Sequence, residues 1–106
     1  MNIIGITACT AGVAHTYMAQ AAIQKAAEAM GHTCKIETQG AMGIENELEP
    51  DEIEQADIVI ISTDVGLEGL ERFDGKFVYE TTVSECVSAP KKVLEEAIKL
   101  KAKENM

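Results

Sequence analysis

The amino-acid sequence predicts an α/β fold: a three-layer, Rossmann-like open sheet of four parallel strands in the order 2-1-3-4, with helices on both faces. Nearly continuous aliphatic runs, which are typical of buried parallel strands, alternate along the chain with segments of helical periodicity. Right-handed crossovers leave few topologies for such a chain, and this strand order is the simplest of them. The 106 residues suffice for one domain, residues 1–106, and are too few for two.

The first half of the chain is predicted to form a strand, a helix and a second strand. Residues 3–8 are an almost uninterrupted apolar run, as in a strand that is buried on both faces. Residues 14–30 repeat small apolar side chains at helical spacing and are followed by a glycine, which is a natural helix stop. Residues 33–38 alternate instead, and the face that carries Glu37 would be wet, as on an edge strand. Residues 40–43, with two glycines, are predicted to break this strand.

The second half is predicted to add two strands and two helices. Pro50 begins a short helix with an acidic first turn, which the helix dipole favours. Residues 56–63 contain four branched aliphatic side chains in a row and predict the third strand, while residues 77–79 predict a shorter fourth one. Pro90 begins the last helix, which has an apolar stripe over residues 93–98.

Composition and charge exclude several classes of function. The formal net charge of −9 would repel a phosphate backbone, so we expect no nucleic-acid binding. The acidic run at residues 45–54 is most simply a solvated face, with partner binding as the alternative. The longest aliphatic run, residues 58–61, is too short to cross a bilayer, and we expect neither a secretory signal nor membrane insertion. These features favour a monomeric, cytoplasmic domain that partners other proteins.

Cys9 is the strongest candidate for a functional residue. It follows the first strand at its carboxyl end, where the strand order reverses and where α/β proteins bind ligands. The residues after it are small and none is proline, so their N–H groups can bind an anion at the start of the helix, whose dipole also favours a thiolate. For Cys9 alone, an inert buried cysteine beside a turn at Gly12 is the alternative. The whole arrangement favours a reactive thiolate beside a phosphate-sized pocket.

The remaining cysteines, histidine and aspartates are weaker candidates. His15, in the first helical turn, is either exposed or a neutral donor to a phosphoryl oxygen, because the helix N-terminus disfavours its imidazolium form. Asp64 ends the third strand near the candidate site, whereas Asp57 lies at the opposite end of that strand. Cys34 and Cys86 are predicted to be structural. The three cysteines show no disulfide or metal-ligand spacing, so we expect no metal and no cofactor.

The segment around Cys9 carries a motif that resembles a known family. The IIB component of the fructose-family phosphotransferase system, which phosphorylates a sugar while importing it, has a loop with the pattern Cys-Pro-Thr-Gly-Ile/Val-Ala-His-Thr. Here the corresponding loop is Cys9-Thr10-Ala11-Gly12-Val13-Ala14-His15-Thr16. Further blocks match in order and extend the resemblance over residues 3–100: Glu37-Thr38-Gln39-Gly40, Ile44-Glu45-Asn46-Glu47-Leu48, Ala56-Asp57 with Asp64, Glu71-Arg72-Phe73, and Gly75-Lys76.

The resemblance implies that Cys9 is a transient phosphocysteine. It would accept a phosphoryl group from a phosphohistidine of the IIA component and donate it to fructose or a related hexose held by the membrane IIC permease. The domain would then be cytoplasmic and peripherally associated with the inner-membrane IIC component. The resemblance implies no cofactor and no metal. It also implies a phosphate-binding loop and a rim, which comprise Thr10, Ala11, Gly12, Val13, Ala14, His15 and Thr16 in the loop and Gln39 and Asp64 at the rim.

Alternatives to this function remain open at the level of sequence. The loop departs from the family at Thr10 and Ala11, which replace a proline and a threonine. A low-molecular-weight protein tyrosine phosphatase also has C-x5 before its helix, but it needs a phosphate-clamping arginine where this chain has His15. A flavodoxin-like binding module would need aromatic faces, and the sequence has no tryptophan. A regulatory phosphocarrier without transport is the third alternative.

Overall fold

The structure, a computed structural model, describes residues 1–8, 13–40, 43–63, 70–73 and 75–104. Strands and helices alternate along most of the chain, as the hydrophobic pattern predicts. The elements in chain order are β1 (Asn2–Ala8), α1 (Val13–Ala29), β2 (Thr33–Gly40), β3 (Gly43–Glu45), α2 (Pro50–Gln55), β4 (Ile58–Thr63), a 3-10 helix (Leu70–Phe73), β5 (Val78–Thr81), α3 (Val83–Ser88) and α4 (Pro90–Glu104).

The sheet has five strands in the order β3-β2-β1-β4-β5. β1 pairs in parallel with β2 and β4, and β4 pairs in parallel with β5, whereas β3 runs antiparallel to β2. The α/β class is confirmed, but the prediction of four parallel strands in the order 2-1-3-4 is wrong, because the sheet contains a fifth, antiparallel strand. Gly43 has a φ of 94°, a backbone conformation that glycine adopts without strain.

Helices cover both faces of the sheet, which gives the predicted three layers. α1, α3 and α4 pack on one face, and α2 and the 3-10 helix pack on the other. The first core is built from these residues: Ile3, Ala19, Ile23, Ala27, Ile36, Ile58, Ile60, Val83, Cys86, Val93, Leu94 and Ala97. The second core is built from Ile4, Ile6, Leu48, Ile53, Ala56, Val59, Ile61 and Phe73.

The description of β2 as an edge strand with a wet face is wrong. β3 pairs along the outer side of β2, so that β2 is an interior strand. Glu37 is fully buried, although alternation predicted that it would be solvated. Alternation shows on which face of the sheet a side chain lies, but it cannot show what covers that face.

The C-terminal part contains a short helix that the sequence prediction did not include. α3 begins after Thr82, whose hydroxyl accepts a hydrogen bond from the Glu85 N–H at 3.1 Å, as an N-cap residue does. α4 begins at Pro90, as predicted. Among the described residues, no helix is both long enough and apolar enough to span a membrane.

Candidate functional site

The carboxyl ends of three parallel strands meet at one edge of the sheet. In the register, Ala8 at the end of β1 pairs with Gln39 of β2 and with Thr63 of β4. Ala8 directly precedes Cys9, and Thr63 directly precedes Asp64. The strand order also reverses here, because β2 lies on one side of β1 and β4 on the other. This is the edge at which the sequence predicted the site.

Several predicted site residues lie outside the part of the chain that the structure describes. Their roles stay predictions. The residues in question are Cys9, Thr10, Ala11, Gly12 and Asp64, together with the side chains of Val13, Ala14, His15 and Thr16, of which only the helical backbone is described.

α1 brings the positive end of a helix to this edge. It begins at Val13, only four residues after Cys9, and it is 17 residues long. No acidic residue lies in its first turn. The partial positive charge of its N-terminus is therefore not neutralised by an acidic side chain of its own, which suits an anion or a thiolate nearby.

A row of hydroxyl side chains crosses the sheet one residue inside the edge. Thr7 of β1 pairs with Thr38 of β2 and with Ser62 of β4. All three are buried, with at most 3% of each residue exposed. Because the three pair in register, their side chains lie on the same face of the sheet, the face that α1 covers. The sheet therefore carries a buried polar row directly beneath its carboxyl edge, next to the apolar core on that face.

Glu37 is the centre of a buried hydrogen-bond network on the opposite face. The Arg72 guanidinium holds its carboxylate with two contacts, Nη1 to Oε1 and Nη2 to Oε2, each at 3.1 Å. The Leu48 N–H donates to Oε1 at 3.0 Å, and Gln39 Nε2 donates to Oε2 at 2.8 Å. Four donors thus satisfy a carboxylate that is 0% exposed.

The network keeps Glu37 ionised. Burial alone would raise the pKa of this carboxyl, but hydrogen bonds from Arg72, Gln39 and the Leu48 N–H outweigh burial and hold the pKa below its ordinary value. The Glu37 carboxylate in turn raises the pKa of Arg72. The network joins β2, the 3-10 helix and the segment before α2, all close to the carboxyl edge.

Sequence reasoning missed the Glu37–Arg72 pair, although one signal was present. Arg72 is the only arginine of the chain, whereas eight lysines supply every other basic side chain. A single arginine in such a chain points to a site that needs a planar, two-pronged donor. Gln39, which was predicted at the rim, does lie at this edge and is hydrogen-bonded to Glu37.

A hydrogen bond joins the start of α1 to the edge strand β3. The Tyr17 hydroxyl donates to the Glu45 carboxylate, and this bond raises the pKa of Tyr17. Met18, next to Tyr17, is 51% exposed, and Ile44, next to Glu45, is 43% exposed. Ile44 pairs with Gln39 at the carboxyl edge. Ile44 therefore exposes an apolar side chain at the carboxyl edge, and Met18 exposes one in the second turn of α1.

The other predicted residues fall where their predicted roles require. Asp57 lies at the amino end of the sheet, where its carboxylate accepts a hydrogen bond from the Asn2 N–H at 2.8 Å. Burial raises the pKa of Cys34 to about 12 and also raises the pKa of Cys86. A raised pKa disfavours the thiolate form of both residues, which agrees with a structural role.

The family model "PTS system, Lactose/Cellobiose specific IIB subunit" matches residues 4–96, which is most of the chain. The chain belongs to this family. It is 48% identical, over 86 residues that are 81% of each protein, to the "PTS system fructose-like EIIB component 2" of Escherichia coli strain K12. It is 40% identical over 100 residues to the "PTS system fructose-specific EIIB component" of Haloferax volcanii, which covers 94% of this chain and 63% of that protein.

Solved structures of IIB proteins share the fold. The solution structure of the Enzyme IIB subunit of a phosphotransferase system from Escherichia coli K12 has a TM-score of 0.90 and 39% sequence identity, and it covers 99% of this chain and 97% of that one. A lactose-specific IIB domain from Streptococcus pneumoniae, at 15% identity and a TM-score of 0.53, shares the fold alone. The predicted family is thus confirmed: the protein is a phosphoryl-transfer component of a sugar phosphotransferase system, with fructose-type relatives. The phosphatase alternative is not favoured.

Proposed function

We propose that Cys9 carries the phosphoryl group of this IIB component. The observation that carries the proposal is its place in the chain: Cys9 directly follows the carboxyl end of the central strand β1, at the point where the strand order reverses, and it precedes the positive end of α1 by four residues. Membership of the IIB family supports the same assignment.

The proposed transfer has two in-line steps. First, the Cys9 thiolate attacks the phosphorus of a phosphohistidine on the IIA component. The S–P bond forms as the P–N bond breaks, and the histidine takes up a proton and leaves as neutral imidazole. A sugar hydroxyl then attacks the phosphorus, the S–P bond breaks, the thiolate is regenerated, and the hydroxyl proton passes to a base. The backbone N–H groups of residues 10–15 and the dipole of α1 stabilise the equatorial oxygens, and a neutral His15 adds a donor.

The membrane partner is proposed from the names of longer relatives. This chain is 48% identical to the "Fructose-like PTS system EIIBC component" of Escherichia coli strain K12, over 89 residues that are 82% of this chain and 18% of that protein. The name of that relative indicates a IIB part and a IIC part in one protein. We therefore propose that this chain works on the cytoplasmic side of the membrane, bound to a separate or fused IIC permease that holds fructose or a related hexose.

Exposed side chains at the carboxyl edge support docking of a protein partner there. Ile44 offers apolar surface at this edge, Met18 offers it in the second turn of α1, and the segment that follows β3, which leads away from the edge, is exposed and acidic at Glu47 and Glu49. A partner with a basic rim around an apolar centre, such as a phosphorylated IIA component, would fit this surface.

Phosphoryl uptake from phosphorylated IIA tests the assignment of Cys9. We expect Cys9→Ser to abolish the capture of a labile, cysteine-linked phosphoryl group. Cys34→Ser is the matched control, because this thiol has a raised pKa and lies at the amino end of β2, and we expect it to be labelled at the full rate. Normal labelling of the Cys9 variant would refute the proposal.

A further inference from the structure

A contribution to stability does not by itself explain the buried Glu37–Arg72 pair. Taking a carboxylate and a guanidinium out of water is costly, and well-packed apolar side chains of similar volume often stabilise a protein as well or better. Here the pair lies on a face whose other core residues are aliphatic or aromatic, such as Ile4, Ile6 and Ile61. The hydrogen bonds that the pair makes point to a second role.

One of these hydrogen bonds fixes the orientation of Gln39. An ionised carboxylate can only accept hydrogen bonds, so the branch of the Gln39 amide that faces Glu37 Oε2 at 2.8 Å is its NH2 group. The carbonyl oxygen is then on the other branch of the planar amide. Arg72 and the Leu48 N–H hold the Glu37 carboxylate in place, so they also determine which way the Gln39 oxygen is turned.

Gln39 occupies the position at which such an orientation matters most. Its register partner on β1 is Ala8, the last described residue before Cys9. β1 and β2 are parallel, so the chain leaves both strands at the same edge of the sheet. A polar side chain that is held in one orientation at this level can help to align the reacting groups of the proposed transfer.

We infer that Glu37 and Arg72 are positioning residues that act through Gln39 on the rate of phosphoryl transfer at Cys9. Arg72 fixes Glu37, and Glu37 fixes the amide of Gln39 at the edge of the sheet where β1 ends one residue before Cys9. This relay rests on the proposed function of Cys9. It assigns the single arginine of the chain to orienting the site from behind the sheet edge rather than to binding phosphate.

A double-mutant cycle on transfer and on unfolding tests the relay. The variants are Gln39→Ala, Glu37→Gln and the two combined. For each we measure the single-turnover rate of phosphoryl transfer from phosphorylated IIA to Cys9 and the midpoint of unfolding in urea. We expect Gln39→Ala to slow transfer about tenfold or more. Glu37→Gln should slow it similarly, and the double variant should be no slower than Gln39→Ala alone. The urea midpoint should fall with Glu37→Gln in both backgrounds.

Two further variants keep the test decisive if Glu37→Gln does not fold. Arg72→Lys keeps the counter-charge but loses the two-pronged contact, so we expect it to fold and to slow transfer only when Gln39 is present. Lys35→Gln removes a partly exposed ion pair with Glu52 on the same face of β2, at the other end of the strand, and should leave transfer unchanged.

The outcomes separate the relay from the function on which it rests. Rate penalties that multiply in the double variant, or a Gln39→Ala protein with the full transfer rate, would overturn the relay while Cys9 is still labelled. A wild-type protein that takes up no phosphoryl group at Cys9 would overturn the proposed function, and the relay with it.

Discussion

Replacing Arg72 with methionine should both destabilise the protein and invert the pH dependence that Glu37 contributes. The substitution leaves a carboxylate that is 0% exposed without its counter-charge. Breaking a buried pair in this way costs about 3–5 kcal/mol, and we expect roughly 3 kcal/mol, because a quarter of the Arg72 side chain is exposed and water can reach the gap. Urea unfolding at pH 7 measures this loss.

The sign of the pH effect follows from the pKa of Glu37 in each protein. In the wild type the pKa is held below its ordinary value, so the contribution of Glu37 to stability is present above the unfolded pKa of about 4.3 and is lost as pH falls through the folded pKa. In the variant we expect burial, the largest contribution, to outweigh the hydrogen bonds from Gln39 and Leu48 and to raise the pKa. The contribution of Glu37 to stability would then be greatest below the unfolded pKa and be lost as pH rises through the raised folded pKa. The difference between the two proteins should therefore shrink between pH 7 and pH 4.

Urea titrations of both proteins at pH 7 and at pH 4 provide the assay. Lys35→Met is the control, because its pair with Glu52 is partly exposed at 29% and 33%, and its loss should cost less than about 1 kcal/mol. A destabilisation by Arg72→Met that is equally large at both pH values would show that Glu37 stays ionised without Arg72. An unchanged urea midpoint at pH 7 would show that Glu37 is not buried as described.

Two further predictions follow from the packing and from the cysteines. Gly5→Ala should lower the free energy of unfolding by about 1–3 kcal/mol, because the Cβ of the new alanine would lie 2.6 Å from the Ile60 carbonyl oxygen. An unchanged midpoint in a urea titration would contradict this close approach. Iodoacetamide at pH 8 should alkylate Cys34 and Cys86 only after unfolding, because burial raises the pKa of both thiols. Peptide mass spectrometry measures the labelling, and rapid labelling of either cysteine in the native protein would refute the structural role.

The interior of the fold could be predicted because its elements carry long, strong patterns. β1 and β4 are runs rich in branched aliphatics that are buried on both faces. Small apolar residues at helical spacing predict α1 as a helix, but alanines lie on several of its sides, so its buried face, Ala19, Ile23 and Ala27, could not be predicted. Position along the chain then places Cys9 at the switch point. β3 and α3 could not be predicted, because three exposed residues and a six-residue helix are too short to show a period.

The polar network could not be predicted from the periodicity of β2. The alternation correctly places Glu37 on the face opposite Ile36. It does not show that this face is covered, because Arg72, on the 3-10 helix, is 35 residues away from Glu37 in sequence. Pairing over such a distance depends on tertiary structure, which a local pattern does not contain. The resemblance did mark both partners, in the blocks Glu37-Thr38-Gln39-Gly40 and Glu71-Arg72-Phe73, but it did not pair them.

Mass spectrometry that localises the phosphoryl group tests whether Cys9 is the phosphorylated residue. The protein is mixed with phosphorylated IIA of a fructose-type system, analysed, and then exposed to IIC membranes with and without fructose. We expect one phosphoryl group on the peptide that contains Cys9. It should be stable without the sugar and should appear as sugar phosphate when the sugar is added. A phosphoryl group on another residue, or rapid release of inorganic phosphate without any sugar, would contradict the assignment of Cys9.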